Sequence, residues 1–223
     1  MSGRIEHSVP ALMVVDMQNY YLKRESSYAR YFGTLKPGCL DYISTRCERT
    51  VIPNICRLLD HFRGEALPVV YLRLCGKEPD RSDLHPFFAD TYRNGLRAGF
   101  EDVYPLENDT WADVIQEIAP DPGETVIQKT TFSPFTATDI HAFLHDMGVT
   151  ELVITGLATS QCVETTARDA SDRGYHVIHV EDAQADYDEM IHAYSLISSQ
   201  GVCGGFITTA AGYINATRPV LRG

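Results

Sequence analysis

Short apolar runs recur along the chain, separated by longer segments whose apolar residues fall at helical spacing. The runs lie in PALMVVDMQ (ending at Asp16), PVVYLRLC, ETVIQK (ending at Lys129), TELVITG, YHVIHVED (ending at Asp182) and GFITTA. The helical segments are VIPNICRLLDHFRG, TATDIHAFLHDMG, CVETTARDASDRG and DYDEMIHAYSLISSQG, with a shorter candidate at TWADVIQEIA. This alternation constrains the fold more than any other feature. A continuous apolar strand is buried on both faces, as strands of parallel sheets are. Parallel neighbours need long crossovers, and those crossovers are right-handed. The expected architecture is therefore α/β: a mostly parallel, six-stranded, Rossmann-like sheet with helices on both faces. No internal repeat or linker interrupts it, so residues 1–223 are expected to form one domain.

The punctuation agrees with this division. Pro53 suits a first helical turn and Gly64 a stop, Thr138 is placed to cap, and Gly148 and Gly174 suit helix ends. Two segments, 17–38 and 75–123, read as loop-rich around the short candidate at 110–119. Loops of that length are usually functional, as lids or as subunit contacts.

Charge and composition exclude several roles. The net charge is −11, from 19 basic and 30 acidic residues, so nucleic acid and anionic membranes are not expected partners. No run reaches the roughly 18 apolar residues of a membrane span. The N-terminal MSGRIEHSVP lacks the apolar stretch of a secretory signal, so a cytoplasmic location is expected. The cysteines at 39, 47, 56, 75, 162 and 203 form no C-x-x-C pair and read as reduced thiols.

Ligands of an open parallel sheet bind beyond the carboxyl ends of its strands. Asp16 ends the first strand, Lys129 ends the third, and Cys162 follows the fourth and opens a helix. A carboxylate, an ammonium and a thiol thus share one sheet edge. Alone, each has a plain explanation: a turn cap, a solvated strand end, a small core residue. Together they suit nucleophilic catalysis. A helix N-terminus and a nearby ammonium favour thiolate, and a carboxylate accepts the thiol proton and returns it to a leaving amine. Backbone N–H groups in GLATSQC are placed to hold an oxyanion.

The stretches ALMVVDMQNYY, VIQKTTFSPF, ITGLATSQCVETTARDA and HVEDAQADYDEMIHA resemble the isochorismatase-like cysteine hydrolases. The resemblance rests on D-M-Q-N, on K-x-x-x-S-x-F, on G-x-x-T-x-x-C-V-x-x-T, and on the 33-residue step from Lys129 to Cys162. It implies a three-layer α/β/α fold and an Asp–Lys–Cys triad of Asp16, Lys129 and Cys162. It also implies a cis peptide between Leu157 and Ala158, and an oxyanion hole from the backbone N–H groups of Ala158 and Cys162. Family members commonly form homodimers or homotetramers. The nicotinamidase metal motif D-x-H is missing after the second strand, although Asp83 and His85 form one later; no metal and no cofactor are expected. KTTFSPF replaces the aromatic-Arg stretch of isochorismatases, which points away from vinyl-ether hydrolysis.

The expected activity is hydrolysis of a carbamoyl, ureido or other small amide C–N bond through a thioester on Cys162. Isochorismatase-type ether hydrolysis and a non-enzymatic small-molecule binding module are the alternatives. Gln18, Phe135 and Thr159 are pocket candidates, with bracing, core packing and helix capping as their structural roles; Ser160 is a second capping candidate. His141 and His145 lie in HAFLH, without the Glu of a zinc-protease motif. His176 and His179 fall on opposite strand faces. GVCGGF at 201–206 is no dinucleotide fingerprint, and no G-x-S-x-G elbow is present.

Overall fold

A computed structural model describes residues 8–201 and 205–217. Six strands form one sheet: β1 (Pro10–Val15), β2 (Val69–Leu74), β3 (Thr125–Lys129), β4 (Glu151–Leu157), β5 (His176–Ala185) and β6 (Gly205–Thr208). Their order is β3-β2-β1-β4-β5-β6, and every neighbouring pair is parallel. The helices are α1 (Asn19–Leu22), α2 (Ser27–Leu35), α3 (Asp41–Arg46), α4 (Ile52–Gly64), α5 (Pro86–Arg97), α6 (Ile140–Asp146), α7 (Glu164–Asp172), α8 (Glu189–Ser199) and α9 (Ala210–Thr217). None of the described helices is long and apolar enough to cross a membrane.

Strand alternation builds the three layers. Leu12 and Val14 of β1 pack toward α3, α4 and α9, with Ile55, Leu58, Phe62 and Tyr213 among their neighbours. Ala11, Met13 and Val15 face the other way, toward Ile140 and Leu144 of α6 and Ala167 and Ala170 of α7. Both faces of β1 are covered, which is why its sequence is continuously apolar.

A third cluster caps the carboxyl edge of the sheet. Tyr20, Tyr28 and Tyr31 pack there on Phe88, Tyr92 and Tyr104. Helices α1, α2 and α5 supply most of these residues, from the two segments read as loops. Their apolar spacing is helical but carried by aromatics: Tyr28, Tyr31 and Phe32 in α2, Phe88, Ala89 and Tyr92 in α5. Conversely, TWADVIQEIA is no α-helix. It forms two separate 3-10 turns, Thr110–Ala112 and Gln116–Ile118, with extended backbone at Asp113 between them.

Other boundaries shift for local reasons. Pro53 does not open its helix. The helical path begins at α3, passes through one wide π turn at Cys47–Val51, and continues as α4. Proline in an established helix lacks an N–H and crowds the preceding turn, and the widened turn lies immediately before it. Gly64 is the last residue of α4, and Ala66 (φ 53) takes the left-handed conformation that reverses the chain. Thr138 Oγ1 accepts the Ile140 N–H at 3.2 Å, although the capping position itself belongs to Asp139. Strand β5 runs three residues past Asp182. Cys203 and part of GVCGGF lie outside the described residues.

One glycine lets β1 and β4 approach. A Cβ at Gly156 would sit 2.0 Å from Val15 O, and its φ is +103. No side chain fits there, and this is the pair of strands that delivers Asp16 and the segment leading to Cys162. Gly156→Ala is expected to cost at least about 3 kcal/mol by overpacking and backbone strain, measured by denaturant unfolding. A loss below about 1 kcal/mol would contradict this close-approach account.

Candidate active site

The site begins with three strand ends. Asp16 follows β1 directly, and its backbone has φ 52, a left-handed conformation that Asp tolerates better than most residues. Its N–H still pairs with Leu72 O at 3.0 Å, so the ladder ends at this residue. Lys129 is the last residue of β3, two strands away, in register with Leu74. Adjacent strands lie about 4.8 Å apart, so only a long side chain reaches across the end of β2. Lys129 does so: its Nζ donates to Asp16 Oδ2 at 2.8 Å and to Thr131 O at 3.1 Å. The same Nζ lies 3.3 Å from Cys162 Sγ. Exposure is 0% for Asp16, 1% for Lys129 and 3% for Cys162, so these charges interact with little solvent screening.

Cys162 sits in a π turn, Thr159–Val163, that leads into α7. The turn is tied down from several sides. Ala158 O accepts the Gln161 N–H at 3.0 Å and the Val163 N–H at 3.2 Å. Thr166 Oγ1 donates to Cys162 O at 2.5 Å, and the Ser160 N–H donates to Asp186 Oδ2 at 2.6 Å. The Leu157–Ala158 peptide is cis. Ala158 and Cys162, the two oxyanion candidates, stand at either end of this turn and line the same small chamber.

The electrostatics modify one sequence-based expectation. Burial first, and the Asp16 carboxylate second, push the Cys162 thiol well above the ordinary range, and Lys129 only partly offsets them. Burial also raises Asp16, against the opposing pull of Lys129. Burial pulls Lys129 down, yet the charge of Asp16, and that of Cys162 once it ionises, outweigh it and hold the ammonium above its usual value. The resting arrangement is therefore a neutral thiol beside a carboxylate–ammonium pair. The turn and the lysine do not by themselves keep the sulfur ionised.

The chamber over the sulfur is bounded by Tyr21, Tyr28, Leu40, Ile43, Leu157 and Tyr187, with Ala158, Gln161 and Cys162 completing it. Its free space is about 10 Å³, room for about one water. It adjoins a wider cleft of about 510 Å³ that shares Tyr28, Leu40, Gln161 and Tyr187 with it. Tyr28 and Tyr187 are joined hydroxyl to hydroxyl at 2.8 Å. Among the described residues, no charged side chain lines the inner chamber; the outer cleft has Lys36 and Asp188.

The three pocket candidates lie elsewhere. Gln18 is fully used as a brace, its Nε2 donating to Leu74 O and Ala112 O and its Oε1 accepting the Leu74 N–H. Phe135 is core, packed on Tyr175 with the Arg173 guanidinium over its ring at 4.9 Å. Thr159 is fully buried and its hydroxyl turns outward to His192 at 2.7 Å, neither to the chamber nor to the helix N-terminus. Ser160 engages Asp186 through its backbone. The chamber instead takes Tyr21, Tyr28 and Tyr187, whose signal in the sequence was the aromatic density of NYYLKRESSYARYF and the lone tyrosine of QADYDE.

The remaining candidates have local partners. Asp83 accepts the N–H groups of Lys77 and Glu78, and His85 Nδ1 accepts that of Phe87. Among the described residues no three His, Cys, Asp or Glu side chains gather as a metal site would require. His141 Nδ1 meets Tyr175 Oη at 3.0 Å and His145 is exposed. His176 pairs with Glu151, while His179 is buried on the opposite face.

Against known proteins, a family model described as the isochorismatase domain matches residues 10–211. Nicotinamidase 3 of Arabidopsis thaliana is 31% identical over 193 residues, covering 85% of this chain and 80% of that protein. Ureidoacrylate amidohydrolase RutB of Rhizobium rhizogenes is 29% identical over 186 residues, covering 80% of this chain and 71% of the relative. Among solved structures, N-carbamoylsarcosine amidase from Thermoplasma acidophilum superposes with a TM-score of 0.64 at 26% identity, covering 90% of this chain and 96% of its own.

The charge arrangement has a direct readout. The thiolate of Cys162, followed by pH-dependent alkylation, is expected to form only above the roughly pH 8.5 midpoint of an ordinary thiol. Asp16→Asn, which removes the carboxylate that raises the thiol, is expected to shift that midpoint down; Lys129→Met is expected to shift it up. A wild-type midpoint below 8, or shifts of opposite sign, would contradict the arrangement.

Proposed function

The chain belongs to the isochorismatase domain family, and from that premise we propose that it is a cysteine-dependent hydrolase of small amide or ureido C–N bonds. Relatives that hydrolyse such compounds, by their names an amidohydrolase and a nicotinamidase, point the same way. The observation that carries the reading is the contact of Lys129 Nζ with both Asp16 Oδ2 and Cys162 Sγ, beneath a chamber that the sulfur borders.

The proposed chemistry follows from the protonation states. Asp16 takes the proton of the neutral thiol as sulfur attacks the carbonyl carbon. Lys129 remains protonated and compensates the charge that develops on sulfur. The N–H groups of Ala158 and Cys162 receive the oxyanion. Asp16 then returns the proton to the departing nitrogen, and the C–N bond breaks to give ammonia or an amine and a thioester. Water attacks the thioester, a proton passes through Asp16 back to sulfur, and the carboxylic or carbamic acid leaves. The raised affinity of Asp16 for a proton suits a group that must accept one and give it back.

The stretch KTTFSPF, in place of the aromatic-Arg stretch of isochorismatases, favours this reading over isochorismatase-type ether hydrolysis. A passive binding module gains no support, because Asp16 and Lys129 both turn inward to the sulfur rather than away from it. We further propose a homodimer or homotetramer. Met190, Tyr194 and Ile197 expose an apolar side of α8, which a second copy of the chain is suited to cover.

The test is a panel of small amides and ureido compounds with intact-mass detection. The wild type is expected to accumulate an acyl adduct on Cys162. Cys162→Ala and Cys162→Ser are expected to lose at least about 1,000-fold in kcat, as nucleophile removals do. Full turnover by either variant, with no adduct on the wild type, would reject the covalent route.

A further inference from the structure

A side-chain relay behind the nucleophile turn belongs to none of the chemistry above. Arg46 of α3 donates from Nε to Gln184 O and from Nη2 to Glu181 O, both at 2.9 Å. These bonds clamp its guanidinium against β5. The same Nη2 lies 3.0 Å from His192 Nε2, and His192 Nδ1 lies 2.7 Å from Thr159 Oγ1. His192 and Thr159 are both buried.

The direction of the relay follows from donor chemistry. A guanidinium only donates, so His192 Nε2 must accept. The ring is then neutral with its proton on Nδ1, and that N–H donates to Thr159 Oγ1. Burial first, and Arg46 second, push His192 down to about 4, which agrees with a neutral ring at physiological pH. The recipient matters. Thr159 is the first residue of the π turn that contains Cys162; the residue before it, Ala158, supplies no side-chain cap, and Asp186 holds the Ser160 N–H. Thr159 also adjoins Ala158, one of the two oxyanion candidates.

We propose that His192, held in one tautomer by Arg46, is a positioning residue: through Thr159 it fixes the turn that aims Cys162 Sγ and the N–H groups of Ala158 and Cys162 at substrate. This rests on the hydrolase reading for its consequence in turnover, though not for its geometry. A misplacement of about 1 Å at such a turn costs up to about 100-fold in rate, so the relay acts on kcat more than on substrate affinity.

The experiment uses the full chain and four variants. His192→Phe keeps a ring and removes the donor. His192→Asn keeps an amide N–H near the position of Nδ1. Thr159→Val removes the acceptor, and the fourth is the Phe–Val double variant. Thermal unfolding confirms folding, and Thr159→Val, the smallest change, serves if the ring variant does not fold. Expected are a kcat loss of about 10- to 100-fold for His192→Phe and Thr159→Val, with KM within about 3-fold. The double variant should be no worse than the single ones, because both remove the same bond. His192→Asn should retain kcat within about 3-fold. Amide hydrogen exchange of residues 159–163 should quicken in the Phe and Val variants and stay near wild type in the Asn variant.

Equal losses in the Phe and Asn variants, additive losses in the double variant, or unchanged exchange across the turn would overturn the proposal. A wild type that turns over no amide would defeat the hydrolase reading instead, and the exchange measurement alone would then decide the relay.

Discussion

The buried ion pair between Asp16 and Lys129 is the interaction on which the rest of the site depends. Their charged atoms are 2.8 Å apart and effectively out of contact with water. Removing either partner from such a pair leaves an uncompensated charge, at a cost of about 3–5 kcal/mol. The pair therefore ties the ends of β1 and β3 together across β2, and anything that displaces one strand end exposes the cost. Cys162 joins as a third group, 3.3 Å from the same ammonium. The sheet order explains how one lysine serves both: β1 and β4 are neighbours, and the turn after β4 brings sulfur beside the carboxylate.

Burial that strengthens these electrostatics also restricts entry. The aromatic cap of α1, α2 and α5 packs over the strand ends, and Tyr28 and Tyr187, joined hydroxyl to hydroxyl, line both the outer cleft and the chamber over the sulfur. The chamber over the sulfur has room for about one water, so on the proposed hydrolase reading its tyrosine walls would shift to seat a substrate. Within the chamber, shape and tyrosine hydroxyls are the features presented, while the charged Lys36 and Asp188 line the outer cleft.

The sheet was legible in the sequence because its central strands β1, β2 and β4 are buried on both faces and need continuous apolar runs. The convergence of the three groups was legible because Asp16 follows β1, Lys129 ends β3 and Cys162 lies in the turn after β4, all at one edge of the sheet. The cap was not legible. Helices α2 and α5 carry their periodicity on tyrosine and phenylalanine, interrupted by Gly33, Asn94 and Gly95, which read as loop signals. Nor were the structural roles of Gln18, Phe135 and Thr159. A polar or aromatic residue near a catalytic position serves equally as brace, core or contact, and only the third dimension shows Gln18 spent on Leu74 and Ala112, and Thr159 on His192. The protonation state of the thiol depends on burial, which local sequence does not report.

The central claim, that sulfur, carboxylate and ammonium form one working unit, is tested most directly by diffraction from crystals of the chain frozen with a slowly hydrolysed amide. The account predicts continuous density between Sγ of Cys162 and the acyl carbon, with the acyl oxygen within about 3 Å of the Ala158 and Cys162 N–H groups. Asp16 and Lys129 should remain paired beside the sulfur. An unmodified sulfur with the amide bound elsewhere, or an acyl oxygen turned toward the tyrosines, would contradict it.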